Sequence, residues 1–349
     1  MRAARLAAIL MALLCLYGAA FAETQLTLTF VGDCTLGGEE RLMGKDYSFA
    51  QVAQREGYAY FLSEVAPLLR QDDATVANFE GVLKADAKGK ANKTYCFRGL
   101  PAYAQILPLG SVEIVNLSNN HAADYGTAGL KSTKAALLEQ GVGTFDATQA
   151  YWLRKDGVSI AFCGFWRTGY YKNRDAYRQT IRDLRAQGAD AVVCILHFGQ
   201  EYSPAHSADQ EEMAHTMIDA GADLVVGHHP HVVQGVETYG NRTILYSLGN
   251  FVFGGNTSVR ANDCLVARVT LTFDAAGAYG SQQLRLYPAH ISGDATQNSY
   301  QPRLVQGDAA QAVFALVDAD GAGQPTVAAQ TDDYRDYVVL PAMRKGVQP

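Results

Sequence analysis

Ala222-Asp223-Leu224-Val225-Val226-Gly227-His228-His229-Pro230-His231 is an apolar run that stops on a glycine and then presents three histidines within four residues. A short apolar run bounded by turn residues reads as a buried strand. Gly227 and Pro230 restrict the chain that follows. The strand therefore delivers its imidazoles at the carboxyl edge of a sheet, where open α/β folds place their ligands. Neutral imidazole is the commonest transition-metal ligand. His229 and His231, two residues apart, can project from one bent loop towards neighbouring points.

The pattern recurs along the chain. Residues 24–31 read as a strand running into Gly32-Asp33-Cys34-Thr35, and residues 73–77 as one ending in Asn78-Phe79-Glu80. Residues 112–117 end in Ser118-Asn119-Asn120-His121, and residues 189–196 in His197-Phe198-Gly199-Gln200-Glu201-Tyr202. Residues 243–246 lead to Ser247-Leu248-Gly249-Asn250. Helical spacing over residues 58–69, 127–140, 176–187 and 210–220 alternates with these strands and predicts an α/β layered fold. On the second of these helices Leu130, Ala135, Leu137 and Leu138 form the expected apolar face. After about Asn256 the alternation in residues 264–273 and 284–291 predicts antiparallel strands. The expected organisation is a main domain over 23–255 with a mainly β C-terminal extension, 256–349, packing on it.

Composition narrows the class. Of 349 residues, 48% are hydrophobic and 18% charged, which describes a globular chain with a substantial core. A net charge of -6 argues against a broad nucleic-acid footprint, so no nucleic-acid partner is expected. Arg2 and Arg5, an apolar stretch over 6–16 and Ala20-Phe21-Ala22 read as a secretory signal peptide, residues 1–22, cleaved after Ala22. The mature chain is then exported, to the cell surface, the periplasm or the medium. Of six cysteines, Cys15 lies in this leader, and Cys34, Cys96, Cys163, Cys194 and Cys264 are scattered and mostly sit in apolar runs. That is no disulfide framework, and Cys163 and Cys194 read as small buried hydrophobes.

Collected by strand end, the ligand-competent residues are Asp33, Glu80, Asn120 with His121, His197, and His229 with His231. Carboxylates, one amide oxygen and several imidazoles suit borderline divalent metals such as zinc, manganese or iron. A carboxylate can bridge two cations, and two metals about 3.5–4 Å apart can clamp both oxygens of a displacement. The segments around these residues, in order, are Val31-Gly32-Asp33, Asn78-Phe79-Glu80, Ser118-Asn119-Asn120-His121-Ala122-Ala123-Asp124-Tyr125-Gly126, His197-Phe198-Gly199-Gln200-Glu201-Tyr202, Gly227-His228-His229-Pro230-His231-Val232-Val233-Gln234 and Tyr246-Ser247-Leu248-Gly249-Asn250-Phe251. Together they resemble the CapA family, the poly-γ-glutamate capsule biosynthesis proteins, which are similar in fold to calcineurin-like metallophosphoesterases.

The resemblance covers about residues 26–254 and implies a four-layer αββα sandwich of metallophosphoesterase type. It implies that Asp33 and His231 hold a first metal, that Glu80 bridges, and that Asn120, His197 and His229 hold a second. It also implies that His121 protonates a leaving group or contacts a scissile phosphate, and that Arg98 lies beside the site, where a guanidinium holds carboxylate or phosphate in a bidentate manner. Glu201 is expected to orient an imidazole and Asn250 to line the site. His228 has no assigned role. One position departs from the phosphoesterase pattern: Thr35 stands where a histidine of the first metal site is usual. One or two divalent ions are therefore expected. The functional reading is an exported, CapA-like protein acting on an anionic polymer such as poly-γ-glutamate, with membrane capsule-synthesis subunits as partners. A metal-dependent phosphoesterase with a phosphoester substrate and a non-catalytic polymer-binding export subunit are the alternatives. Lys84, Lys88, Lys90, Lys93 and Arg98 supply a local basic surface near Glu80.

Overall fold

The computed structural model describes residues 23–321 and 325–338; the leader read at 1–22 lies outside them. The chain builds one sheet, crosses to a second and returns to the first. It opens with β1 (Thr24–Thr35) and β2 (Ala74–Phe79), followed by a small ribbon of β3 (Val82–Leu83) and β4 (Arg98–Gly99). Then come β5 (Ile114–Asn116) and β6 (Gly143–Phe145), so that β1, β2, β5 and β6 lie side by side in parallel. The second sheet holds β7 (Tyr151–Lys155), β8 (Val158–Trp166), β9 (Ala191–His197), β10 (Leu224–His228), β11 (Val236–Tyr239) and β12 (Arg242–Leu245). Its spatial order is β11-β12-β10-β9-β8-β7, parallel except at the two edges.

The return is through β13 (Asn250–Phe253), parallel to the end of β1, and then β14 (Asp263–Phe273) and β15 (Tyr279–His290). β16 (Arg303–Leu304), β17 (Thr326–Gln330) and β18 (Arg335–Val338) complete that antiparallel wing. Residues beyond 256 thus lie in the same sheet as β1, with β14 as its direct neighbour.

The core sits between the sheets. Leu26, Leu28 and Phe30 of β1 meet Ile160, Phe162, Val193, Ile195, Leu224 and Val226 of the facing sheet. Parallel strands covered on both faces need near-continuous apolar sequence, which is why β9 reads Ala-Val-Val-Cys-Ile-Leu before its histidine. Helices α1 (Phe49–Glu56) and α2 (Gly126–Glu139) cover the outer face of the first sheet, and α3 (Arg167–Ala186) and α4 (Ala208–Ala220) that of the second. The layers are αββα. Helix α5 (Gly307–Ala319) adds Ala310, Val313, Phe314 and Val317 to the core between the sheets. No helix among the described residues is long and apolar enough to cross a membrane.

Two local expectations change. Residues 58–69 are not one helix but a 3-10 segment, Tyr58–Leu62, and a single α-turn, Ala66–Leu69. Pro67 lacks the N–H that would continue the first segment and instead sits in the opening turn of the second. On α2 the buried face is Gly129, Thr133, Ala136 and Leu137, whereas Leu138 is 76% exposed and Ala135 also faces out. The helix is rolled towards its small residues: a Cβ on Gly129 would meet Val82 and Tyr125 at 2.9 Å, and Thr133 accepts the Leu83 N–H at 2.9 Å. Close approach to β3 decided the face, not the count of leucines.

Candidate metal centre

The carboxyl ends of β1, β2, β9 and β10 converge where the two sheets face each other. Register sets the neighbours: Asp33 pairs with Asn78 on one side and Asn250 on the other, and His228 lies beside His197. At Gly32 an added Cβ would stand 2.2 Å from the Gly249 carbonyl oxygen, so β1 and its neighbour touch backbone to backbone. The Asp33 N–H then donates to that same oxygen at 3.0 Å. Three non-glycine residues here adopt the left-handed region: Tyr202 (φ 60°), His229 (φ 100°) and His231 (φ 59°). Such conformations cost of order 1–3 kcal/mol each and persist where surrounding structure fixes them. The fixing bonds are the Tyr202 N–H to the Pro230 carbonyl, 2.7 Å, and the His229 N–H to Asp33 Oδ2, 3.2 Å.

The charged groups are deeply buried. Asp33 receives Asn78 Nδ2 at 2.8 Å, with His228 Nδ1 at 3.1 Å from one oxygen and His231 Nδ1 at 3.2 Å from the other. Burial alone would raise its pKa, but the imidazoles of His228 and His231 close to its two oxygens outweigh it and hold the carboxyl well below the usual range. Glu80 is the opposite case. Neither of its fully buried oxygens has a hydrogen-bond partner; His197 Nε2 and His121 Nε2 stand off at 3.6 and 3.8 Å. Burial pushes this carboxyl up to about 8. For His231 burial works against protonation, but the charges of Glu80 and Asp33 prevail and raise it to about 9. Burial, with the His231 charge beside it, lowers His229 to about 4, and burial next to His229 holds His197 well below its ordinary value.

Two sets of ligand atoms result, each within a 4.8 Å span: Asp33, Glu80 and His231, and Glu80, His197 and His229. Glu80 belongs to both. Asn120 joins the second set, its Oδ1 2.7 Å from His197 Nε2. His121 stands at the edge of the group with Nε2 towards Glu80, while its Nδ1 pairs with Asp124 Oδ2 at 2.8 Å and its ring stacks on Phe97 at 4.3 Å. Burial lowers its pKa against the opposing effect of Asp124. Asn250 Oδ1 lies 2.9 Å from His231 Nδ1 and orients that ring. Exposed Glu201 reaches the rim, in a third set with His229 and His231.

Arg98 is not brought into the group. Its guanidinium pairs with Glu40 through Nε at 2.9 Å and Nη2 at 3.1 Å, and Nη1 donates to the Lys84 carbonyl at 2.7 Å. With those donors occupied, it ties β4 to the segments before α1 and after β3. Cys34 points into the outer-face core, away from the histidines. Thr35 Oγ1 donates to the Glu80 carbonyl at 2.7 Å, tying the loop that carries Glu80 to β1.

Four further residues join the site, of which only Lys93 was given a part beforehand, in the basic surface near Glu80. Asn78 bridges Asp33 and His197, at 2.8 and 3.3 Å. His228, with no role assigned to it, faces Asp33. Asp124 and Lys93 form a pair at 2.5 Å behind His121. Asn78 and His228 both lie at strand ends, and that position was a usable signal; Asp124 and Lys93 depend on how distant loops meet.

Fold and site together define an αββα protein with a buried carboxylate–imidazole centre at its strand ends. Residues 27–255 match the family model described as bacterial capsule synthesis protein PGA_cap, and the chain belongs to that family, a CapA-like family of polyglutamate capsule biosynthesis. It is 33% identical over 255 residues to the capsule biosynthesis protein CapA of Bacillus anthracis, covering 66% of this chain and 60% of that protein. It is 30% identical over 291 residues to the PGA biosynthesis protein CapA of Bacillus subtilis strain 168, covering 77% of this chain and 74% of the relative. A probable polyglutamine synthesis accessory protein of Mycobacterium tuberculosis is 28% identical over 264 residues, 66% of this chain and 69% of that one. The chain thus spans 60% of the length of the Bacillus anthracis relative.

Proposed function

We propose that this protein is exported by its leader and acts in the synthesis or processing of a poly-γ-glutamate-type capsule polymer through a divalent-metal site at the strand ends. The observation that carries the reading is Glu80. A buried carboxylate without a hydrogen bond is costly; neither oxygen of Glu80 has a hydrogen-bond partner, and the residue belongs to both ligand sets. Cations are the partners that would satisfy it. Asp33, Glu80 and His231 would hold one, and Glu80, Asn120, His197 and His229 the other; this mixed oxygen and nitrogen set suits manganese, zinc or iron. When bound, such ions polarise a carbonyl or phosphoryl oxygen and supply a nucleophile at neutral pH.

The chain's own residues do the rest. Asp124 engages Nδ1 of His121, so the proton that His121 exchanges with a leaving group is the one at Nε2, the nitrogen facing Glu80. Phe97 holds the ring in plane. Thr35 spends its hydroxyl on the Glu80 backbone and leaves the first set with three side chains. That favours occupancy of the second set first. Membrane capsule-synthesis subunits that make and pass on the polymer are the proposed partners.

The test is elemental analysis of protein purified without chelators, beside His229→Ala, together with a chain-length assay on γ-linked polyglutamate. One to two metals per chain, lost in the variant, with polymer shortened only by the loaded protein, is the expected result. Cleavage of a generic phosphodiester instead of the polymer would move the assignment to a phosphoesterase. Metal without cleavage of either, but with polymer binding, would support a polymer-handling subunit. No metal after reconstitution would overturn the reading.

A further inference from the structure

A line of ring contacts leads out of the centre. His121 stacks on Phe97 at 4.3 Å, Phe97 meets Phe253 at 5.9 Å, Phe253 meets His231 at 4.9 Å, and His231 meets Tyr202 at 5.9 Å. The line ends on a cation: the guanidinium carbon of Arg260 lies 3.5 Å from the centre of the Tyr202 ring. Tyr202 is fixed, not incidental. It holds its left-handed φ of 60° through the bond to the Pro230 carbonyl, and Asn256 Nδ2 donates to its hydroxyl at 3.3 Å. Arg260 itself is exposed and pairs with no carboxylate among the described residues.

A guanidinium lying on an aromatic face is held by the ring quadrupole while its N–H groups stay free at the edge. That planar fork matches a carboxylate with two parallel hydrogen bonds, which an ammonium cannot do. We infer that Arg260, seated on Tyr202, is a specificity-determining residue that holds a carboxylate of the substrate chain beside the metal-competent centre. The inference rests on the proposed function and adds to it the residue that recognises the chain. An α-linked chain advances about 3.5 Å per residue, and a γ-linked glutamyl chain, with five backbone bonds per residue in place of three, advances further. With Tyr202 5.9 Å from the His231 ring and Arg260 3.5 Å from Tyr202, a free carboxylate one or two residues from the reacting bond reaches Arg260. A γ-linked glutamyl chain carries such a carboxylate on every residue.

The test is binding of a fluorescent γ-linked glutamate decamer, followed by anisotropy, to wild type, Arg260→Ala, Arg260→Lys and Tyr202→Leu, with a phosphodiester dye as a second probe. The Arg260 variants should keep the wild-type Tm and metal content, because the side chain is exposed. Loss of one charge-assisted bidentate contact should weaken decamer binding by about ten- to a hundred-fold in Arg260→Ala. Arg260→Lys should recover only part of it, and Tyr202→Leu should lose affinity as well. Wild-type affinity in Arg260→Ala, or a loss confined to the phosphodiester probe, would overturn the inference and leave the proposed function standing. Failure of wild type to bind the decamer at all would overturn both.

Discussion

Glu80 sets the terms at the scale of single residues, because its carboxyl is buried between imidazoles with nothing to receive it. In metal-free protein its pKa of about 8 lies above the ordinary 4.5, so the unfolded chain ionises first. Stability is then lost as pH rises from about 4.5 to 8. His231, raised from 6.5 to about 9 by Glu80 and Asp33 against its burial, adds stability that is complete below 6.5 and lost on the way to 9. The two have the same sign. Chelator-treated protein should melt at a lower temperature at pH 9 than at pH 6, and Glu80→Gln should flatten the Glu80 share of that fall. Metal binding reverses the trend, since ligands must give up their protons, so affinity measured by calorimetry should rise over the same range. A metal-free Tm that is level or climbs from pH 6 to 9 would contradict this account of Glu80. The sequence made the ligand-competent residues legible because each lies at the end of an apolar strand or in the few residues after it, and that is a local signal. The Asp124–Lys93 pair behind His121 was not legible, because its two residues come from different loops.

At the scale of elements, the centre depends on how tightly β1 packs on the segment that returns from the second sheet. The oxygen of Gly249 both receives the Asp33 N–H and occupies the space a side chain at residue 32 would need. A backbone atom cannot swing aside as a side chain can. Gly32→Ala should cost about 3 kcal/mol, read from urea denaturation, and should lower metal content because the displaced residue is next to Asp33. A variant that keeps both stability and metal would show the contact to be relaxed elsewhere. The strands were legible for the reason that makes them buried: runs such as Ala-Val-Val-Cys-Ile-Leu have no solvent face to alternate. Helix faces were not. Leu138 is a strong apolar residue and lies outside, because Gly129 and Thr133 allow α2 to approach β3 more closely than a leucine stripe would.

At the scale of the whole molecule, the stretch that carries the family match ends at residue 255, but the sheet that carries the centre does not. β14 pairs with β1 residue by residue from Thr24 opposite Phe273 to Phe30 opposite Ala267, and β15 continues outward from there. Leu265, Val269, Leu271, Phe273, Leu284, Leu286 and Phe314 are all fully or almost fully buried in the core between the sheets. Each large apolar side chain contributes about 1.5–3 kcal/mol on burial, so the joint loss of these seven is as large as the whole net stability of a typical fold, about 5–15 kcal/mol. Cutting after residue 255 would also expose the edge of β1 to pairing with other chains. Asp320, at the end of α5, ties this part to the second sheet as well, accepting the N–H groups of His206 at 2.9 Å and Gly235 at 2.7 Å. A chain of residues 23–255 should therefore aggregate or melt without cooperativity, whereas residues 23–338 should unfold in one transition by circular dichroism. Supplying residues 256–338 as a separate chain during expression should restore soluble material, because the missing strands find the same edge. Cooperative melting of 23–255 alone would mean that the matched segment stands by itself and that β14 and β15 only lean on it.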